Sequence, residues 1–443
     1  MKDYTFIFIV INTILLLRIL RSRKIHPLLK IFWGVSYFGW NAFPAIIMYT
    51  PELAGSTIIG NESYVFSSYV NQIFLFVSYL LGYIMIHKIK TPRFIERYDF
   101  QDNSKLFDFS VNFALICLVY IMYNNLTSSI SYIERNDVDN AHAISPLRFI
   151  SSFMVTYLIG VVLLCKERLS FSKYNLCIAM IAVHLLIQTF LGGRIYIFGI
   201  VIIFLHYAIE QKRKTSFIVG VIVGLFALTL LPSISSLRGQ GDFSASEAIT
   251  SSRSTTGTQI IGEIFVKTNS VLYGSYLLEK DGVGKWDGKM YSSTIYALIP
   301  RFLYPNKPEP GSVDGTPFGL PARASVDYST IGVYDGIGNN GVTASVSSLW
   351  GGGWIAYFCE IFSVAFIIFL FNCVFYSKKP LFICFAISLM GFPICVLEVP
   401  GPQILTGIQR FIVIYLFIKM IVPTRRVSYG KTQQPVISSD RIS

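Results

Sequence analysis

Residues 212–241 read KRKTSFIVGVIVGLFALTLLPSISSLRGQG, and they combine the three signals from which the architecture follows. A basic run, Lys212-Arg213-Lys214, precedes an apolar stretch at 216–234, and a glycine-rich polar segment with Arg238 comes after it. An apolar stretch of about 17–25 residues is long enough to cross a bilayer, and basic residues stay on its cytoplasmic side. This stretch therefore predicts a membrane-spanning helix that leads into an extracytoplasmic loop.

The composition of the whole chain agrees with a membrane protein. The chain has 443 residues, of which 53% are hydrophobic and only 14% charged. These values are typical of an integral membrane protein with many spans. About eleven spans can be drawn, at 4–20, 28–49, 65–87, 107–124, 148–165, 174–191, 194–210, 216–234, 354–376, 381–398 and 404–422.

The connections between these spans alternate in charge. The basic ones lie at 18–30, 88–105, 166–173, 212–214, 378–379 and in the tail after 422. Every second connection is basic, which predicts an outer N terminus and a cytoplasmic C terminus. The net charge of +12 lies in these short runs, which argues against nucleic-acid binding.

Four parts follow from this layout. They are spans 1–8 at 1–234, an extracytoplasmic loop at 235–352, spans 9–11 at 353–422 and a cytoplasmic tail at 423–443. Within the loop, apolar residues at helical spacing predict an amphipathic helix over about 260–278, and 291–299 looks like a second short helix. Prolines then predict a stiff segment, and 311–341 is rich in Gly, Ser and Asp. We expect a folded cap on the membrane surface.

Arginines on the loop's side of the membrane are the main candidates for function. Arg194, Arg238, Arg301 and Arg410 fall there, at or just inside the ends of spans. Cations in such places oppose the rule that orients membrane proteins and are costly in apolar surroundings. Several of them under one loop predict a bound anion, and for a membrane enzyme that anion is a lipid diphosphate. We assign catalytic roles to Arg194, Arg238 and Arg410.

These arginines also have alternative explanations. Arg238 could be a solvated loop charge just beyond the end of the eighth span. Arg194 follows Gly192-Gly193 at the start of the seventh span, where free N–H groups favour an anion, but it could equally snorkel to a lipid phosphate. Arg410 lies about six residues inside the last span and could pair with Glu398 or Glu360.

A proline-stiffened stretch at 299–308 provides a second group of candidates. Here Arg301 and Lys307 could hold phosphate while Tyr304 covers a sugar. The alternative is an interfacial loop in which Tyr304 anchors the chain. Candidates for a general base on the outer side are His142, Asp314, Asp327, Asp335, Glu360 and Glu398. We expect His184 and His206 to be packed helix residues instead.

The chain has no motif for a metal or a nucleotide. It has no Walker loop, the long loop contains neither HExxH, DxD nor GxSxG, and its seven cysteines lie in or at the ends of apolar spans. We therefore expect no cofactor and no metal site, and no disulfide framework in the loop.

Several motifs together resemble the O-antigen polymerase (Wzy) family of bacterial oligosaccharide repeat-unit polymerases. They are Gly192-Gly193-Arg194, Leu237-Arg238, Ile299-Pro300-Arg301 with the stretch to Pro308, residues 345–353, and Gln409-Arg410-Phe411. Each motif is short, but their order around one outer loop is moderately specific, over roughly residues 185–415.

The resemblance implies an all-α polytopic membrane glycosyltransferase with a GT-C-like architecture, in the bacterial inner membrane. Its substrate would be an undecaprenyl-diphosphate-linked oligosaccharide, and its partners a chain-length regulator (a polysaccharide co-polymerase) and a flippase. The reaction would be independent of metal and inverting. An O-antigen ligase and a repeat-unit flippase or other transporter are the alternatives.

Overall fold

A computed structural model of the chain describes residues 2–38, 42, 62–92, 104–127, 157–162, 164–191, 208–209, 218, 278–279, 281–285, 289, 312–313, 316–317, 344–377 and 383. These residues are helical apart from turns and one very short strand pair. The helices are α1 (Lys2–Arg21), α2 (Pro27–Tyr37), α3 (Glu62–Lys88), α4 (Ser104–Thr127), α5 (Phe171–Leu191) and α6 (Ala344–Tyr376). A 3-10 turn lies at Lys166–Arg168, and residues 157–162 are also helical.

Helices α1 and α2 form an antiparallel hairpin, and side chains of α6 and α3 hold the turn between them. The backbone N–H of His26 donates to Oδ1 of Asn372 (2.9 Å), and Nδ2 of Asn372 donates to the carbonyl of Lys24 (3.0 Å). Ser22 Oγ lies 3.1 Å from Nε2 of His87. Because Asn372 ends α6 and His87 ends α3, the C-terminal ends of α1, α3 and α6 lie together. We call this the basic end.

Helix α6 packs along α3 in the same direction. The hydroxyl of Tyr357 donates to the carbonyl of Val70 (2.7 Å), and the Phe74 and Tyr357 rings lie 5.6 Å apart. A Cβ at Gly82 would stand 3.0 Å from Cγ2 of Ile368. Close approach at a small residue is how membrane helices gain van der Waals contact without help from water. The buried core lies along this contact.

Helices α4 and α5 form a second contact, at their N-terminal ends. Lys173 donates to Oδ1 of Asp108 (2.9 Å), and the hydroxyls of Ser110 and Tyr157 lie 2.7 Å apart. The guanidinium of Arg168 lies 6.0 Å from the Phe107 ring centroid. The basic connection at 166–173 therefore lies beside the start of α4.

Among the described residues, two helices are long and apolar enough to cross a membrane, Tyr64–Lys88 and Ser345–Tyr376, with mean hydropathies of 1.6 and 2.3. Helix α6 also exposes an apolar stripe at helical spacing, formed by Ile355, Phe358, Phe362 and Phe366, with Ile355 81% exposed. In water such a stripe would be costly, whereas lipid tails solvate it. The described helices thus fit the predicted all-α class, while the spans predicted at 194–210, 216–234, 381–398 and 404–422 fall almost wholly outside the described residues.

The structure adds two details to the predicted layout. Helix α6 begins at Ala344, ten residues before the span predicted at 354–376. A two-residue antiparallel pair, Ser312–Val313 with Thr316–Pro317, lies in the stretch at 311–341 that is rich in Gly, Ser and Asp. The helices predicted at 260–278 and 291–299 lie largely or wholly outside the described residues.

Candidate functional site

The predicted site residues lie in parts of the chain that the structure does not describe. They are Arg194, Arg238, Arg301, Tyr304, Lys307 and Arg410. Five of the six candidate bases, all except Glu360, also lie outside the described residues. What the structure does describe is the attachment of the long loop to the membrane helices, which is the frame on which such a site would be built.

A backbone break at Gly353 shapes this frame. Helix α6 has 33 residues, about 50 Å at 1.5 Å per residue, which exceeds a hydrocarbon core of about 30 Å. Gly353 divides it, with φ 68° and ψ −162°, in a region that only glycine adopts readily. The part after the break has about the length of one span. The part before it, Ala344–Gly352, is a separate segment, which we call the outer segment because the charge pattern predicts it outside the membrane.

Backbone N–H groups of the loop donate to helix carbonyls that the break at Gly353 leaves without a partner in the helix. The last four carbonyls of a helix have no partner within it, and here these belong to residues 349–352. The N–H of Gly284 donates to the carbonyl of Leu349 (3.1 Å), and the N–H of Lys285 donates to that of Trp350 (2.7 Å). Gly284 itself has φ 80°, so this turn requires glycine. The loop therefore caps the outer segment of α6.

One carboxylate joins the same two pieces through side chains. Oδ2 of Asp281 accepts from Nε1 of Trp350 (3.1 Å) and from Nζ of Lys285 (2.8 Å). The ammonium of Lys285 also lies 5.4 Å from the Trp350 ring centroid, within cation–π range. Asp281 is only 16% exposed, so water screens this ion pair less than it screens a surface pair. We call residues 281–285 together with Ala344–Gly352 the loop end.

The outer segment of α6 also contacts a polar face of α3. Ser345 Oγ donates to Oδ1 of Asn71 (2.7 Å), and Ser348 Oγ donates to the carbonyl of Ser345 (3.0 Å). Next to Asn71 on α3, the backbone carbonyl of Gln72 accepts from Nδ2 of Asn12 on α1 (3.4 Å). All five side chains are buried. Polar side chains between helices are costly unless paired, so the bond from Ser345 to Asn71 favours one position of the outer segment against α3.

Glu360 is the one candidate base that the structure describes. It is fully buried on α6, one turn beyond Tyr357, and so lies within the bundle away from the loop end. His184, expected to be a packed helix residue, is buried on α5. His206, for which the same was expected, lies outside the described residues. The alternative pairing of Glu360 with Arg410 stays a prediction, because Arg410 also lies outside them.

The described residues show no cluster of three or more His, Cys, Asp or Glu that could hold a metal. Their five cysteines carry free thiols, and all but Cys359 are buried.

Asp281 and Lys285 did not stand out in the sequence. They flank Gly282-Val283-Gly284, and alternating glycines do signal a tight turn. However, nothing in the sequence says where the turn docks, because its partner Trp350 lies 69 positions away.

Comparison with known proteins identified no relative. No protein-family model, no curated protein and no solved structure matches this chain significantly.

Proposed function

We propose that this protein is an O-antigen (repeat-unit) polymerase of the bacterial inner membrane. It transfers the growing glycan from undecaprenyl diphosphate to a new lipid-linked repeat unit on the outer side. Arg194, Arg238 and Arg410 stabilise the leaving group, while Arg301, Lys307 and Tyr304 bind substrate. In this proposal the N terminus is periplasmic and the C terminus cytoplasmic, and the loop caps the site.

The observation that supports this proposal most is the position of the loop end. The loop is attached to α6 at Leu349 and Trp350, whereas the exposed cations Arg21, Arg23 and Lys24 lie at the opposite end of the same bundle. In this proposal the four arginines that the sequence predicts on the loop's side lie at the end where the loop is anchored. This separation is what a capped outer site requires.

The proposed chemistry is an inverting displacement. The acceptor hydroxyl attacks the anomeric carbon and loses its proton to a base, and a bond forms between that carbon and the acceptor oxygen. The bond to the diphosphate oxygen breaks, and its electron pair stays on the diphosphate. Pre-placed guanidinium groups stabilise that developing charge by electrostatic preorganisation.

A single assay separates this function from its alternatives. The purified protein is incubated with one lipid-linked repeat unit, with no other protein, and the products are resolved by size. A polymerase makes a ladder, whereas a ligase needs a different acceptor and a flippase changes no covalent bond. A substrate that stays unchanged with well-folded protein would refute the proposal.

The same assay tests the arginine role. Arg410→Ala should abolish the ladder, and Arg410→Lys should slow its formation on the order of 10²–10³-fold, because lysine keeps the charge but loses the planar fork of donors. Arg23→Ala is the matched control, since Arg23 is exposed at the basic end, and it should retain activity. Full activity in folded Arg410→Ala protein would exclude this role.

A further inference from the structure

The long loop touches the membrane helices through a small set of described contacts that meet at Asp281. This carboxylate binds Lys285 within its own turn and Trp350 on α6, and thereby links the side-chain contacts to the two backbone bonds made by Gly284 and Lys285. Removing it would leave the indole N–H of Trp350 and the ammonium of Lys285 without this acceptor. A buried donor without an acceptor is destabilising, and bonds to charged groups are stronger than neutral ones.

The contact continues from the loop into the membrane helices. Trp350 is buried and lies on the outer segment of α6, which Ser345 ties to Asn71 of α3. The glycine break at Gly353 separates this segment from the rest of α6. Among the described contacts, the outer segment is therefore attached both to the loop and to α3. Losing the attachment to the loop would let the outer segment open more readily.

We propose that Asp281 is a positioning residue that holds the turn at 281–285 on the outer segment of α6, and that the substrate-binding residues predicted on the loop, Arg301, Lys307 and Tyr304, depend on this docking. This role rests on the proposed polymerase function. Asp281 itself touches no substrate, and its effect on the reaction passes through Trp350 and the outer segment of α6. Its loss displaces substrate-binding groups without removing any of them.

The first test measures docking without activity. Ser348→Cys places a thiol in the fully buried outer segment, in a background with the seven native cysteines replaced. An impermeant maleimide should label it slowly in otherwise wild-type protein. With Asp281→Ala added, labelling should become about 10–100-fold faster, since hydrogen bonds to a charged acceptor oppose opening.

Glu279→Gln is the matched control for this test. Glu279 is exposed in the same part of the loop, so its neutralisation removes the same charge without touching α6. It should leave the labelling rate unchanged. An unchanged rate in the Asp281→Ala protein would overturn the proposal, as would an equal increase in the Glu279→Gln protein.

Three further variants separate the individual contacts from a general loss of folding. Trp350→Phe removes the indole N–H but also leaves space at a buried position, whereas Lys285→Gln removes the cation at an exposed one. Lys285→Gln should therefore speed labelling less than Asp281→Ala does. Asp281→Asn keeps an acceptor oxygen for Trp350 and should restore slow labelling in part. If Asp281→Asn labels as fast as Asp281→Ala while Trp350→Phe has no effect, the indole bond does not hold the loop and the proposal fails.

The second test measures the reaction. In the polymerisation assay Asp281→Ala should raise KM for the lipid-linked repeat unit about tenfold or more, with a smaller change in kcat, because the misplaced groups bind substrate before they stabilise the transition state. Asp281→Asn should recover most of the affinity. A loss of kcat alone would overturn the positioning role. If wild-type protein makes no ladder, the polymerase proposal fails, while the labelling result still decides whether Asp281 docks the loop.

Discussion

The cations at the basic end of the helical bundle and the cation at its loop end differ in whether a described carboxylate pairs with them. At the basic end Arg21, Arg23 and Lys24 are exposed and form no ion pair with the described residues. At the loop end Lys285, whose side chain is also 38% exposed, is paired with Asp281 and lies over the Trp350 ring. Exposed cations can bind lipid phosphates and water, whereas a cation held against a buried indole needs a carboxylate of its own.

The two ends also differ in how the chain is fixed. At the basic end one side chain, Asn372, bonds to the amide and the carbonyl of the turn between α1 and α2, across more than 340 positions. At the loop end, residues 281–285 bond to α6 across more than sixty positions, through two backbone amides and the Asp281 carboxylate. Both contacts close long stretches of chain, which costs entropy. The two ends therefore differ in the groups that hold them, a side-chain amide at one end and backbone amides with a carboxylate at the other.

The largest expected effect concerns the side of the membrane that each end faces. Cysteines placed at Ser244 in the loop and at Lys24 at the basic end, in a background without native cysteines, should behave in opposite ways toward an impermeant thiol reagent. In intact cells only the cysteine at Ser244 should react, because the charge alternation places it outside. Opening the inner membrane should expose the cysteine at Lys24. The reverse pattern would invert the proposed topology.

Acid should weaken the basic end through His26. Burial lowers the pKa of the His26 side chain to about 4 from its ordinary 6.5. As pH falls from about 6.5 to about 4, His26 is protonated in the unfolded chain but stays neutral in the folded protein. The free energy of unfolding therefore falls across this window, by up to about 3 kcal/mol. Above pH 6.5 the group has no effect, and below pH 4 the loss is complete.

The measurement is thermal unfolding in detergent at several pH values. His26→Asn is the matched variant, since an asparagine oxygen can replace Nδ1 as acceptor for the Leu28 N–H and does not titrate. The difference in stability between wild type and His26→Asn should change across this window. A constant difference would show that His26 titrates normally in the folded protein.

The glycine break should be the next most sensitive feature. Gly353→Ala places a Cβ at φ 68°, and such backbone strain costs about 1–3 kcal/mol. Steric crowding adds nothing, because the nearest atom, Cα of Gly284, would lie at 3.7 Å. Gly34→Ala in α2 is the matched control: it meets no neighbour within 4 Å and should be neutral or stabilising. Equal unfolding temperatures for Gly353→Ala and wild type would contradict the break.

The smallest effect should come from the pair between α4 and α5. Lys173 donates to Asp108, whose side chain is 60% exposed. Exposed pairs contribute at most about 1 kcal/mol, so Lys173→Gln should lower stability by no more than this, and salt should erase the difference. A double-mutant cycle with Asp108→Asn measures the coupling. A coupling energy well above 1 kcal/mol would show that the pair is less exposed to water than its position on α4 and α5 indicates.

Hydropathy alone predicted where the helices lie. The described helices α1, α3, α4 and α5 cover the spans drawn at 4–20, 65–87, 107–124 and 174–191, since about twenty apolar residues in succession have few other stable arrangements in a bilayer. Charge alternation predicted which connections share a side, and the contacts of Ser22, His87 and Asn372 bring three helix ends together. The proposed arginine site comes from the sequence alone and remains a prediction.

Composition and local pattern were enough for the helical class, for the position of most described helices and for the existence of a long polar loop, because each depends on the solvent that a short stretch prefers. Only the tertiary structure could show that α6 starts at Ala344, breaks at Gly353 and is capped by Gly284 and Lys285. Asp281 and Trp350, like Ser345 and Asn71, are partners distant in sequence. Such pairs are chosen by packing and by the need to satisfy buried polar groups, and no periodicity along the chain records that choice.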